Sequence, residues 1–224
     1  MVAGMAAGCG GSGSKSTAPN IVTDPLPVNT VLNDTPAHTI SRLEATFDYQ
    51  SNQSYAALLT ADFRFHFSSA TDPMLVAQWG DTWGEMDDSL SMAHLFNGFT
   101  STGGMYMPGA TAVTCAFNAT TEAGDPDHAD SAAYYRVMHV GNMSAMMDMP
   151  VEGGMTYSIS SAQDICLVRG DVAHLRPGQP ASATCWYVRR WDDLSSPLGG
   201  YSRIGPGTNP ASASTLGSIK AQYR

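Results

Sequence analysis

His66 stands between two phenylalanines in the run Phe63-Arg64-Phe65-His66-Phe67, so one residue of register decides what its imidazole can do. Facing a cavity it could serve as a general base; on the outer face of its strand, the commoner arrangement, it does no chemistry. Asp87 and His94 lie seven residues apart, two helical turns, which sets an acid and a base about 10 Å apart on one helix face. Trp79 and Trp83 just before them could wall a cleft. The same four residues also read as a solvated helix face with two tryptophans packed on a sheet, and that reading is preferred. Met138, His139, Met143, Met146, Met147 and Met149 form a soft donor set of the kind that suits Cu(I). In a strand, however, Met147 and Met149 share one face and Met146 the other, so the thioethers do not converge and read as fillers of an irregular core. No metal site and no cofactor are expected, and no G-x-S-x-G nucleophile elbow occurs.

The elements that would position these residues occupy the middle of the chain. Hydrophobic residues make up 43% and charged residues 14%, enough for a globular core. The net charge of −9 and the pI near 4.8 argue against a nucleic-acid partner, because Arg189-Arg190 is the one adjacent basic pair and no basic stripe exists to meet phosphates. Residues 1–34 and 196–224 read as flexible segments, rich in small and polar types. Within the first, GMAAGCGGSGS resembles a bacterial lipoprotein lipobox with Cys9 as the lipidated residue, although Met5 stands near where Leu is usual and no charged and apolar signal regions precede it. Export would follow, with the membrane reached through the lipid anchor alone. Beyond Cys9, the three cysteines 115, 166 and 185 leave at least one thiol unpaired. A turn centred on residues 176–180 sets Cys166 opposite Arg190 rather than Cys185, unless a bulge at Gly170-Asp171 shifts the register.

Thr35 can cap a helix that begins at Pro36 and carries Ile40, Leu43 and Phe47 on one stripe. SNQSYAALLT caps a second, short helix, and the Phe63–Phe67 alternation is a strand. A helical turn follows Asp72-Pro73, and the next helix places Met86, Leu90, Ala93 and Phe96 on one stripe. TAVTCAFNATT, SAAYYRVMHVGNMSAMMDMP with a break at Gly141, GMTYSISSAQDICLVRG and ASATCWYVRRWDD are strands. Helices first and antiparallel strands afterwards predict an α+β domain over 35–195, with a curved antiparallel sheet of four to six strands.

This order, and above all SRLEATFDYQSNQSYAALLTADFRFHFS with CWYVRRWDD at the end, resembles the nuclear transport factor 2-like superfamily, the SnoaL-like or cystatin-like α+β cones. The resemblance implies a sheet wrapped around helices and a cone-shaped cavity. Phe47, Phe63, Phe65, Phe67, Trp79, Trp83 and Phe96 would line it. It also implies where an isomerase of this type keeps its base, at Phe67, and its oxyanion donor, near Leu43. Both positions are apolar here, so proton abstraction loses its residues. An apolar chamber of this kind favours binding a small hydrophobic molecule. The alternatives are an isomerase or hydrolase using His66 or Asp87 and His94, and a non-catalytic scaffold whose outer sheet makes a homodimer.

Overall fold

The computed structural model describes residues 26–27, 30–71, 73–150, 155–196, 203–204 and 215–224. The Cys9 segment lies outside them, as does much of both expected tails. Helix α1 (Pro36–Asp48) starts at its expected cap: the Thr35 hydroxyl accepts the His38 N–H, and Pro36 sits in the first turn. Ile40, Leu43 and Phe47 form its buried face. Ser51 caps α2 (Asn52–Leu58) in the same way, accepting from the Ser54 N–H. The chain then runs through β1 (Leu59–His66), α3 (Pro73–Trp79), β2 (Thr82–Gly84) and α4 (Glu85–Asn97). A small hairpin, β3 (Phe99–Thr100) and β4 (Tyr106–Met107), leads to β5 (Ala112–Gly124) and a 3-10 turn at Pro126–Ser131. Long strands β6 (Tyr135–Met149) and β7 (Met155–Arg169) follow, then β8 (Trp186–Asp193), β9 (Arg203–Ile204) and a last helix, α5 (Leu216–Gln222).

The strands form one curved sheet in the order β2-β1-β8-β7-β6-β5, with β9 beside β7, and the helices fill its concave side. This is the α+β cone implied by the resemblance. One neighbouring pair departs from the all-antiparallel expectation: β1 and β8 run parallel. No hairpin dictates their direction, since the chain leaves β1 through helices and meets β8 only after β5, β6 and β7. The break foreseen at Gly141 is a bulge between Val140 and Met143, where the sheet bends. A Cβ on Gly141 would sit 3.2 Å from that of Ala119, itself at φ 54°. Cys166 pairs with Arg190, as the index sum required, and Cys115, Cys166 and Cys185 are free thiols. Edge strand β5 is blunted by α1, where Glu44 and Asp48 carboxylates accept the N–H groups of Phe117 and Cys115.

Two expectations fail, and they fail together. Met86 (78% exposed) and Leu90 (47%) face outward on α4, while Asp88, Ser91, Met92, Leu95 and Phe96 face inward. Residues 215–224 are no flexible tail: α5 lies inside the cone, with Leu216, Ile219 and Tyr223 buried. Gly217 permits that packing, because a Cβ there would run into the Phe67 ring. Phe67 has little room to yield, being held edge-on by Phe65 at 5.3 Å and Trp83 at 4.8 Å. Gly217→Ala is therefore expected to lower stability by about 1–3 kcal/mol, the cost of overpacking. Urea denaturation at neutral pH checks this; an unchanged midpoint would mean that α5 does not seat against Phe67.

Candidate functional site

Helix α5 carries its own logic. Thr215 accepts the Ser218 N–H as N-cap, and Leu216, Ile219 and Tyr223 recur at i, i+3 and i+7 as an apolar stripe. Beside Ile219 on that stripe stands Lys220, one of two lysines in the chain with Lys15. Its side chain is fully buried. The ammonium donates to Asp88 Oδ1 at 2.8 Å and to the Tyr55 hydroxyl at 3.1 Å, and that hydroxyl donates to Asp88 Oδ2. Aromatic faces complete the surroundings, with Nζ 4.2 Å from the Phe65 ring centre, 4.7 Å from Trp191 and 5.5 Å from Tyr55. Four elements thus converge on one ammonium: Tyr55 from α2, Phe65 from β1, Asp88 from α4 and Trp191 from β8.

Polar contacts fix the backbone of α5 as well. Ser91 Oγ donates to the Lys220 carbonyl at 2.5 Å, and Asp193 Oδ2 accepts the Gly217 N–H at 3.3 Å. Asp193 is itself held by Gln163, whose amide oxygen takes the Trp191 indole N–H at 2.6 Å. Burial pushes the Lys220 amine below its ordinary value, with the Asp88 carboxylate opposing. Burial and that same carboxylate push the Tyr55 phenol well above 10.0. Asp88 and Tyr55 together form the only polar floor that the ammonium meets among the described residues.

The residues expected from sequence are scattered around this centre. His66 lies on the outer face, 2.7 Å from an Asp192 carboxylate oxygen, in a cleft shared with Asp62, Arg64, Asp127, His128, Arg189 and Arg190. That cleft neutralises itself, since Arg190 pairs with Asp127 and Asp192 and Arg189 with Asp62. Asp87 and His94 form no acid–base pair: Asp87 takes the Arg224 guanidinium, and His94 Nδ1 donates to the Tyr223 carbonyl at 2.6 Å while its ring stacks on Phe99. Both serve to fasten the chain after α5. Of the seven aromatics, Phe47, Phe63, Phe65 and Trp83 are wholly buried and Phe96 nearly so. Trp79 is half-buried beneath Arg224. Phe67 borders an open groove of about 550 Å³, with Ser68, Thr71, Pro73, Val76 and Asp81. The expected open chamber is instead filled by α5. Met138, Met143, Met147 and Met149 are core residues and Met146 is exposed, while His139 pairs with Asp164 on the surface.

The sequence matches no family model and no curated protein. Three solved structures share its outline. A protein provisionally named scytalone dehydratase from Novosphingobium aromaticivorans is 8% identical, with a TM-score of 0.49 over 81% of this chain and 90% of its own. A type 2 hexachlorocyclohexane dehydrochlorinase, LinA, is 11% identical, with a TM-score of 0.46 over 76% and 87%. AusH from Aspergillus nidulans is 8% identical, with a TM-score of 0.38 over 77% and 85%. At these values none of them assigns a role to a residue of this chain.

Two outcomes follow for the buried centre. Asp88→Ala leaves an ammonium without its counter-charge and is expected to cost about 3–5 kcal/mol, whereas Asp88→Leu with Lys220→Met costs less than the sum of the single changes. Urea denaturation of Asp88→Ala and a double-mutant cycle of Asp88→Leu with Lys220→Met measure these, and simple additivity in the cycle would deny the pairing. The pH dependence has two opposing parts. With its folded value lowered, Lys220 gives stability that grows as pH rises toward its ordinary 10.5. With its folded value raised, Tyr55 gives stability that is complete below 10.0 and lost as pH climbs beyond it. Above pH 10.5 only the loss remains, so the urea midpoint is expected to fall there, and to fall less steeply in Tyr55→Phe. Equal slopes would contradict the burial of this phenol.

Proposed function

We infer that this chain is a non-catalytic binding domain whose cone takes up a small, largely apolar molecule, and that α5 occupies the chamber as a resident plug. The observation that carries this reading is Lys220: a charged side chain at the bottom of an aromatic chamber, brought there by α5. Apolar walls with one small polar floor supply affinity and orientation. They supply little for turnover. Leu43, where an isomerase would need its donor, is fully buried among apolar neighbours, and Phe67 replaces the base. Asp88, the one carboxylate at the floor, is engaged by Lys220 and Tyr55.

The way α5 is attached supports exchange. Among the described residues α5 is held by side-chain contacts from Ser91, Asp193 and Asp88 and pairs with no strand, so it can leave the cone without breaking a sheet ladder. One indole also supports a ligand: among the described residues, Trp83 Nε1 is buried without a hydrogen-bond partner. Such a donor costs about 1–3 kcal/mol, which a ligand acceptor would relieve. Export and tethering through Cys9 belong to the same proposal, with the cone presented at a bacterial envelope. The described residues include no helix long and apolar enough to cross a membrane.

The completeness of the burial favours a second reading, in which α5 is an ordinary core helix of a closed scaffold. Amide hydrogen exchange separates the two. The plug reading expects residues 216–223 to exchange through a local opening while β6 and β7 stay protected. Protection of α5 equal to that of β6 and β7 would mean that it leaves only on global unfolding, and the scaffold reading would stand.

A further inference from the structure

The geometry points to a recognition site for a primary ammonium group on an unbranched apolar chain at the floor of the cone, with Lys220 seated in it as a built-in copy of that ligand. This names the ligand class for the binding reading above and rests on it. A lysine side chain from Cγ outward is a propylammonium ion, and every feature around it suits that ion. Tyr55, Asp88 and Lys220 are all wholly buried.

Two oxygen acceptors and an aromatic face meet the ion. A primary ammonium has three N–H groups. One goes to Asp88 Oδ1 at 2.8 Å and one to the Tyr55 hydroxyl at 3.1 Å. The third side of the ion faces aromatic rings, the nearest being Phe65 at 4.2 Å. The phenol is tied to the other carboxylate oxygen, so the floor presents a fixed pair of acceptors and no free donor. A carboxylate ligand would meet Asp88 as a like charge. An alcohol would leave that carboxylate without a counter-ion. A quaternary ammonium has no N–H for either acceptor. The chain behind the ammonium is wholly buried, and the rings nearest its Nζ, Phe65 and Trp191, offer no polar atom but the Trp191 N–H, already taken by Gln163. The floor therefore selects for charge, for N–H count and for an apolar stem at once.

The test restores the missing fragment. In the full chain, Lys220→Ala removes the atoms from Cγ to Nζ and leaves Asp88 facing the gap. Thermal denaturation is followed while n-propylammonium chloride, n-propanol or tetramethylammonium chloride is added at matched concentration and ionic strength. The site expects a saturable rise in Tm of about 2–4 °C with n-propylammonium, and less than a third of that with the other two. Adding Asp88→Asn to Lys220→Ala should erase the preference. Where Lys220→Ala does not fold unaided, the same three solutes are compared by refolding yield, with n-propylammonium alone expected to recover it. Equal rescue by n-propanol, or no saturable effect of the amine in either readout, overturns the assignment. This outcome is independent of the exchange experiment on α5. Rescue with a fully protected α5 would uphold the ammonium site and remove the plug. An opening α5 without rescue would keep the chamber and change its ligand class.

Discussion

An ammonium inside an apolar cone is a charge taken out of water, and the arrangement around Lys220 follows from what that transfer costs. After relaxation the penalty is still several kcal/mol per ion, and it is offset only where a counter-charge and hydrogen bonds stand ready. Asp88 and Tyr55 supply those, and the ring faces of Phe65 and Trp191 add the attraction of their π-clouds. The requirement reaches outward through the fold. Helix α4 must turn Asp88 and Ser91 toward the interior, so Met86 and Leu90 are left facing solvent. Helix α5 must hold its register to within one residue, which Ser91, Asp193 and the glycine at 217 enforce.

The two faces of the sheet handle charge in opposite ways. Inside, the Lys220 ammonium sits in direct contact with the Asp88 carboxylate, with the buried Asp193 carboxylate adding a weaker attraction from beside α5. Outside, the Arg64, Arg189 and Arg190 cluster shares its cleft with Asp62, Asp127 and two histidines, and water screens what remains. Strand β1 is the divider between them. Phe63 and Phe65 enter the core while Arg64 and His66 join the outer network, which explains the aromatic and basic alternation of that strand. The exposed pairs contribute little each, whereas the interior pair is worth much to keep and costly to break.

Much of the frame was legible from local signals. Thr35-Pro36 marked the start of α1, period-two aromatics marked β1, and the index sum across the β7–β8 turn gave Cys166 opposite Arg190. These depend on near neighbours in the chain. The candidate site was hidden because its partners are 33 and 132 residues apart. Asp88 sits in an acidic first turn of α4, where Glu85, Asp87 and Asp88 all look like surface charges. A stripe drawn through Met86 and Leu90 is a sound helical period that tertiary packing overrides, because the carboxylate had a more valuable partner inside. For α5 a signal was present and outweighed. Thr215, the Leu216-Ile219-Tyr223 stripe and a rare lysine stand within a segment whose composition is otherwise small and polar. Composition averaged over residues 196–224 concealed seven residues with a helical period.

The reactivity of the Lys220 amine in the intact, native chain reads the central ion pair directly. Acetylation with an amine-reactive reagent is followed by peptide mass mapping, in buffer and in denaturant at the same pH. A lysine closed into the cone against Asp88 should react at least about 100-fold more slowly in the native protein than in the denatured chain, at a rate set by opening of α5. Acetylation at the same rate in both states would contradict the account, because Lys220 would then stand in solvent and the cone would have no occupant.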